Sequence, residues 1–325
     1  MVRSFIFRDM DYRTPHSYDN DPTLDAISEY FTGRGERLQN INTRWDYAKI
    51  VRDNYGSSFD LEACLKWNDF SQIAGSNCFI TLNSDGRYHN RTPPLIYAAD
   101  SARNKDFSVV IKDAHPDYGK YKTNIGHSAD FVGQIERMEN VKMIYLLGVT
   151  PYGLATSISP MHIDYEVLHS PKIEIYLSDD LETLLKPETS SYRFDSEEHC
   201  WLKSMYEIIK DSNSCKKLSD FNPSVIPTEH VYLSTDMDVV RDFKTRWRSQ
   251  GNLSFQELLR LAGDIANAKK VFGADICGLD HELYPDNVHD LPRMYKYYSF
   301  LKSKMKPWKI EKIQPLNVIN DGAVA

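Results

Sequence analysis

Two short segments concentrate the groups that do metal or acid–base chemistry. The first is Asp113-Ala114-His115-Pro116-Asp117, and the second is Ser234-Thr235-Asp236-Met237-Asp238. Side chains at alternate positions of an extended chain point the same way. Asp113, His115 and Asp117 can therefore converge, and so can Asp236 and Asp238. Four carboxylates and an imidazole drawn together repel one another unless a cation neutralises them. An oxygen-rich set with one or two imidazoles suits Mn²⁺ better than it suits the thiolate sites of zinc. The bland alternative is that aspartate and histidine simply populate loops after strands. It accounts for one Asp-x-Asp well, and poorly for two such clusters that each follow a buried run.

The elements that must position these groups read as short apolar runs. They are Ser76 to Leu82, Phe107 to Asp113, Met143 to Val149, Lys172 to Leu177, His230 to Ser234 and Lys270 to Cys277, with Phe5-Ile6-Phe7 as a further candidate. Because they do not alternate, they predict parallel strands buried on both faces. Helical stretches lie between them. Ser254 and Glu257 form a capping box, with Phe255, Leu258, Leu259, Ala262, Ile265 and Ala266 on one face of the helix that follows. A second helix is predicted from about Asp195, with Trp201, Leu202, Met205, Ile208 and Ile209 as its apolar stripe. These stripes are core packing. Strand–helix alternation predicts an α/β domain whose parallel sheet is covered on both faces, with ligands at the carboxyl ends of the strands. The expectation is one domain over residues 1–325, with segment 190–198 and the tail from residue 307 as insertion and extension.

Composition narrows the function classes. The 325 residues are 41% hydrophobic and 26% charged, which is globular, and the net charge of −7 disfavours a general nucleic-acid surface. No run approaches the roughly 18 apolar residues of a membrane span. Met1 to Arg13 carries five charges and lacks the apolar core of a signal peptide. The expectation is a soluble cytoplasmic protein without a nucleic-acid or membrane partner. The five cysteines, Cys64, Cys78, Cys200, Cys215 and Cys277, contain no CxxC pair and signal neither a disulfide framework nor a zinc–thiolate site. Phosphate-cradling glycine motifs are missing as well.

The two acidic clusters resemble motifs of the ureohydrolases, the family of arginase, agmatinase and their relatives. Asp113-Ala114-His115-Pro116-Asp117 is similar to the family's DAHxD, and Ser234 to Asp238 is similar to its SxDxD. Gly251 to Leu259 resembles the G-G-L-T/S-x-x-E-x-L segment, and Lys270 to Ile276 resembles the strand after it. Ile80 to Asp85 stands where the family has GGDHS. The likeness spans residues 78 to 282 in the family's order. It implies a three-layer α/β/α fold with a central parallel sheet and two Mn²⁺ ions that activate a water to attack an electrophilic carbon. For a guanidinium carbon the products are urea and an amine such as ornithine. The implied metal ligands are Asp113, His115, Asp117, Asp236 and Asp238. His89 is the candidate sixth ligand, if three residues are inserted before the histidine of GGDHS; the other reading is an exposed loop histidine. Thr123-Asn124-Ile125-Gly126-His127-Ser128 resembles the family's G-N-x-H-G stretch. It offers Asn124 for substrate and His127 as general acid/base, with a purely structural histidine as the alternative. Asp117 is the second catalytic candidate.

The pattern breaks in three places. The family's guanidinium-pairing Glu falls at Gly278, so Asp280 or Glu282 must reach in if a carboxylate pairs with substrate. After Asp238 a new segment, Val239 to Gln250, brings Arg241, Lys244, Arg246, Trp247 and Arg248, whose usual fate is to face solvent. The loop between Asp117 and Asn124 is shorter than the one that grips the amino-acid head group in arginases. These changes predict a substrate other than free arginine: a guanidine on a larger molecule, including arginine within a peptide, as in peptide arginases. Two other readings stand beside it. One is amide hydrolysis on the scaffold shared with metal-dependent deacetylases; the other is a metal-binding relative without turnover. The N-terminal 75 residues do not resemble the family's start, and homo-oligomers are expected by resemblance only.

Overall fold

The computed structural model describes residues 1–9, 22–43, 71–83, 89, 91–118, 131–157, 166–186, 196–212, 214–244, 250–280 and 283–308. Nine strands of these residues form one sheet: β1 (Arg3–Asp9), β2 (Leu38–Thr43), β3 (Phe79–Leu82), β4 (Phe107–Lys112), β5 (Val141–Val149), β6 (Ile173–Leu177), β7 (Cys215–Lys217), β8 (His230–Asp236) and β9 (Lys270–Cys277). Every pairing is parallel. β3 and β4 are buried along their whole length, as unalternating apolar runs require.

The strand order is β2-β1-β3-β9-β8-β4-β5-β6-β7. From β4 the chain builds outward through β5, β6 and β7, then returns to insert β8 and β9 between β3 and β4. The direction of winding reverses there, and a crevice opens at the carboxyl ends of such a switch point. Both acidic clusters leave the sheet at this place, one after β4 and one from the end of β8.

Each face of the sheet has its own core. On one face, Val109, Ile111, Leu146, Tyr232 and Phe272 pack under helix α2 (Thr92–Ser101) and helix α3 (Ser196–Lys210). On the other, Val110, Leu147, Leu233 and Ile276 pack under α1 (Pro22–Thr32), α4 (Phe255–Ala268) and α5 (Leu291–Lys304). The three layers follow from burying two apolar faces at once.

The capping box forms as its spacing predicts: Ser254 Oγ accepts from the Glu257 amide at 3.2 Å, and Glu257 accepts from the Ser254 amide at 2.7 Å. Leu258, Leu261, Ala262, Ile265 and Ala266 turn inward, while Phe255 and Leu259 are only partly covered. In α3 the buried stripe is Leu202, Met205 and Ile209, with Trp201 and Ile208 partly buried. The N-terminal segment contributes β1, α1 and the edge strand β2 to the same sheet. At the other end Trp308 is anchored: its ring stacks on His230 at 3.9 Å and meets Phe272 edge-on at 4.7 Å. Among the described residues no helix is long and apolar enough to cross a membrane.

Candidate metal centre

Strand β4 ends at Lys112, and the next five residues turn over the sheet's carboxyl edge. The turn is tied down at both ends. The Asp113 amide donates to the Leu147 carbonyl at 3.2 Å, and the Thr150 amide donates to the Ala114 carbonyl at 3.0 Å. Asp117 sits in the left-handed region, with φ of 43°, a conformation aspartate tolerates better than most residues and one that clusters at functional sites. On β8, Asp236 caps the short turn that follows, its Oδ1 accepting from the Asp238 amide at 3.0 Å. Asp238 is held in turn by residues 250–253, because its carbonyl accepts from the Gly251 amide at 2.8 Å. A Cβ on Gly251 would lie 2.1 Å from the Val239 carbonyl oxygen, so only glycine allows this approach.

These turns bring the predicted residues together. His89 Nδ1 lies 3.1 Å from Asp113 Oδ2, 3.5 Å from Asp117 Oδ2 and 4.0 Å from Asp236 Oδ2. His115 Nδ1 lies 3.5 Å from Asp113 Oδ1 and 3.2 Å from Asp238 Oδ2. Asp113 therefore presents one oxygen to each histidine and stands between two ligand groups, His89–Asp113–Asp117 and Asp113–His115–Asp238. Within each group the ligand atoms lie within 4.8 Å of one another. His89 is fully buried, against Phe131 at 4.7 Å, which decides against an exposed loop histidine. A third group was not foreseen: His89, Asp236 and Cys277, mutually within 4.8 Å.

The electrostatics fit divalent cations. Burial raises Asp117 to about 7 and the Asp113 carboxylate adds to the rise. Burial also lifts Asp236 and Asp238, helped by Asp238 and Asp113 respectively. Asp113 goes the other way: burial would raise it, but His115 and His89 outweigh that and hold it at about 2. Burial would lower both histidines. For His89 the neighbouring Cys277 and the bonds to Asp113 and Asp117 prevail; for His115 the bonds to Asp113 and Asp238 do, and both imidazoles stand well above their usual value. Four crowded carboxylates with two imidazoles carry a net negative charge in any protonation state that keeps them ionised. The buried Asp113 Oδ2 has no polar partner besides His89. Oxygen-rich, imidazole-bearing, negative and short of hydrogen-bond donors, this set fits a pair of divalent ions.

A polar layer beneath orients His89. Ser234 Oγ lies 3.5 Å from His89 Nε2 and donates to Asp275 Oδ1 at 2.8 Å, and Thr92 Oγ1 donates to the same oxygen at 3.1 Å. A neutral His89 with its proton on Nε2 donates to Ser234 and turns the Nδ1 lone pair toward the carboxylates. Such partners set a ligand histidine's tautomer and orientation. Ser234 belongs to the SxDxD motif; Thr92 and Asp275 carry no signal of their own in the sequence. The open side of the centre is formed by His115 and Asp117, whose side chains are 20% and 16% exposed.

Among the described residues, the remaining predicted ones are not part of the ligand groups. Gly278 has φ of +133°, and a Cβ there would lie 2.7 Å from Met237 Cβ and 3.0 Å from Asp236 Oδ1, so the position excludes a side chain. Asp280 is buried, with its carbonyl accepting from Asn287 Nδ2 at 2.6 Å. Arg241 is exposed and bonds the Asn252 carbonyl, and Lys244 pairs with Asp286 at 3.6 Å. Asn124, His127, Glu282, Arg246, Trp247 and Arg248 lie outside the described residues.

No protein-family model matches the chain, and no curated protein does either. Solved structures do. The arginase of Helicobacter pylori superposes with a TM-score of 0.56 at 13% identity, covering 94% of this chain and 99% of that one. Trypanosoma cruzi formiminoglutamase, solved with Mn²⁺, gives 0.54 at 12% identity over 94% and 95%. Proclavaminate amidino hydrolase from Streptomyces clavuligerus gives 0.52 at 15% identity over 93% and 92%. The chain has the arginase-like α/β fold.

Proposed function

We propose that this protein is a divalent-metal hydrolase that cleaves a guanidino C–N bond, releasing urea and leaving an amine. The observation that carries the reading is Asp113, which offers its two oxygens to His89 and His115 at the centre of six ligand side chains. The kinship of fold with an arginase, an amidino hydrolase and a formiminoglutamase supports the same chemistry. Two Mn²⁺ ions are the cofactor the resemblance implies. His89, Asp113, Asp117 and Asp236 would hold one, and Asp113, His115, Asp236 and Asp238 the other. Bound there, divalent ions supply Lewis acidity to a water and to the developing charge on the substrate carbon.

The chain's own residues do the rest. Substrate approaches from the side of His115 and Asp117, the exposed members of the cluster. Asp117, at that edge, takes the proton of the attacking water, and His127 returns a proton to the leaving amine. Gly278 leaves no carboxylate beside Asp236 to pair with a free guanidinium. Such a pocket favours a guanidine that is held through the rest of a larger molecule, arginine within a peptide being the reading we favour.

The test is urea release by Mn²⁺-loaded protein across free arginine, agmatine, guanidino acids and arginine-containing peptides, beside Asp236→Asn. Urea from peptides alone, lost at least 100-fold in the variant, is the expected result. Urea from free arginine at comparable rates would refute the peptide reading. No urea from any of them, with two ions bound, would overturn guanidine hydrolysis and point to amide hydrolysis on this scaffold.

A further inference from the structure

The register of β8 and β9 pairs Ser234 with Asp275 and Asp236 with Cys277. Paired residues of parallel strands stand side by side on one face, and the pattern repeats every second residue. Ser234 and Asp275 show this directly through their 2.8 Å hydrogen bond. One step further along, Asp236 and Cys277 take up the same relation at the rim of the centre. The sulfur is fully buried, and it lies with the ligand atoms of His89 and Asp236 in a group whose members are all within 4.8 Å of one another. Ligands at about 2.0–2.3 Å from one ion are themselves about 3–4.5 Å apart, so the three fit a common ion with little movement.

We propose that Cys277 is a ligand of the ion at the His89 end of the centre, so that this position takes a thiophilic divalent ion such as Zn²⁺ or Co²⁺ in preference to Mn²⁺. The proposal rests on the metal reading above and deepens it. The same imidazole carries a second buried ligand group: Asp113 Oδ2, 2% exposed at the side chain, faces His89 Nδ1 at 3.1 Å and has no other partner. The ordinary role of a buried cysteine is that of a small apolar side chain. Cys78, just before β3, serves as the internal comparison, equally buried yet part of none of the ligand groups. Cys277 differs in its company. The next residue, Gly278, has no side chain to crowd Asp236. A thiol that coordinates a metal gives its proton to solvent and binds as thiolate, and thiolates select zinc-like ions over manganese. The centre then has two unlike ends: Asp113, His115 and Asp238 form a hard position suited to Mn²⁺, and His89, Asp236 and Cys277 form a softer one.

The test uses full-length protein loaded with Co²⁺, because a thiolate ligand gives Co²⁺ an intense charge-transfer absorption in the near ultraviolet. The band is expected in the unmodified protein and in Cys200→Ser, which alters an exposed cysteine. It is expected to vanish in Cys277→Ser while two Co²⁺ remain bound by elemental analysis. In Zn²⁺/Mn²⁺ competition the same variant should lose at least tenfold in preference for zinc at one position. X-ray absorption at the zinc edge needs no variant, and one sulfur scatterer at about 2.3 Å is expected. Two ions bound with neither band nor sulfur scatterer would overturn the ligand assignment while leaving a metal centre standing. Failure to bind any divalent ion would sink the metal reading itself, and this assignment with it.

Discussion

Asp275 never touches the crowded carboxylates, yet it governs one of their ligands. Through Ser234 it gives the Nε2 side of His89 a partner, so that a neutral, metal-holding ring keeps its proton there and turns Nδ1 to the ion. Removing such a partner typically costs 10–100-fold in metal affinity. Ser234→Ala and Asp275→Asn should each weaken Mn²⁺ binding by about that factor in a calorimetric titration, with the circular dichroism spectrum unchanged; unaltered affinity in both would dismiss the relay. Lys112 poses the opposite problem. Its side chain is fully buried with no hydrogen bond to Nζ, and burial lowers its pKa to about 7 against the charge of Asp275. Between about 7 and the ordinary value near 10.5 the unfolded chain binds this proton and the folded one does not, so stability rises with pH across that window. Below it the folded state must bury an ammonium ion. Lys112→Met should therefore gain more than about 1 kcal/mol at pH 6 and flatten the rise between pH 7 and 10 in urea melts. An equally steep rise in the variant would contradict this account. Asp113, His115, Asp117, Asp236 and Asp238 were legible because their spacing of two matches an extended chain. His89 was found only through resemblance, and Cys277 was not singled out. Its neighbourhood depends on how β8 aligns with β9, which no local pattern reports.

At the scale of elements, the end of β9 decides what can approach the centre. Gly278 adopts φ of +133° with Met237 packed against the place a Cβ would occupy. Gly278→Ala combines a strained backbone with a clash that β8 cannot easily relieve, and should cost about 2–4 kcal/mol in stability. Gly278→Glu should be no better and should not create a guanidinium site. Chemical denaturation of both variants tests this; a Glu variant as stable as the parent would show that the strand end can open. Most strands were legible because they are unbroken apolar runs. The misses are instructive: β2 (Leu38–Thr43) and β7 (Cys215–Lys217) are the two edges of the sheet, both largely polar, and β7 is only three residues long. Edge strands need little apolar surface, so nothing in their composition marks them. Strand boundaries shifted for a similar reason. β3 begins at Phe79 because Asn77 and Cys78 belong to the approach, and β8 runs on to Asp236 because the motif's first aspartate is still paired with β9.

Over the whole molecule, the same centre couples ligand binding to stability. Ions that bind only the folded state stabilise it by about 2.7 kcal/mol each at 100 times their dissociation constant. Saturating Mn²⁺ should raise Tm by at least about 4 °C over EDTA-treated protein. Binding must also displace the proton that Asp117 keeps up to about 7, so the gain should shrink as pH falls from 8 to 6. A Tm indifferent to metal at pH 8 would contradict both statements. The strand order carries a consequence for biosynthesis. β3 and β4 leave the ribosome early, but β8 and β9, which separate them in the finished sheet, are among the last strands made. The nascent chain must keep two apolar edges from meeting until those late strands arrive, a non-local and slow assembly of the kind that exposes unpaired edges. A chain cut short before residue 230 lacks the wedge together with Asp236 and Asp238, so metal uptake would double as a proofreading mark of a fully translated, correctly inserted sheet.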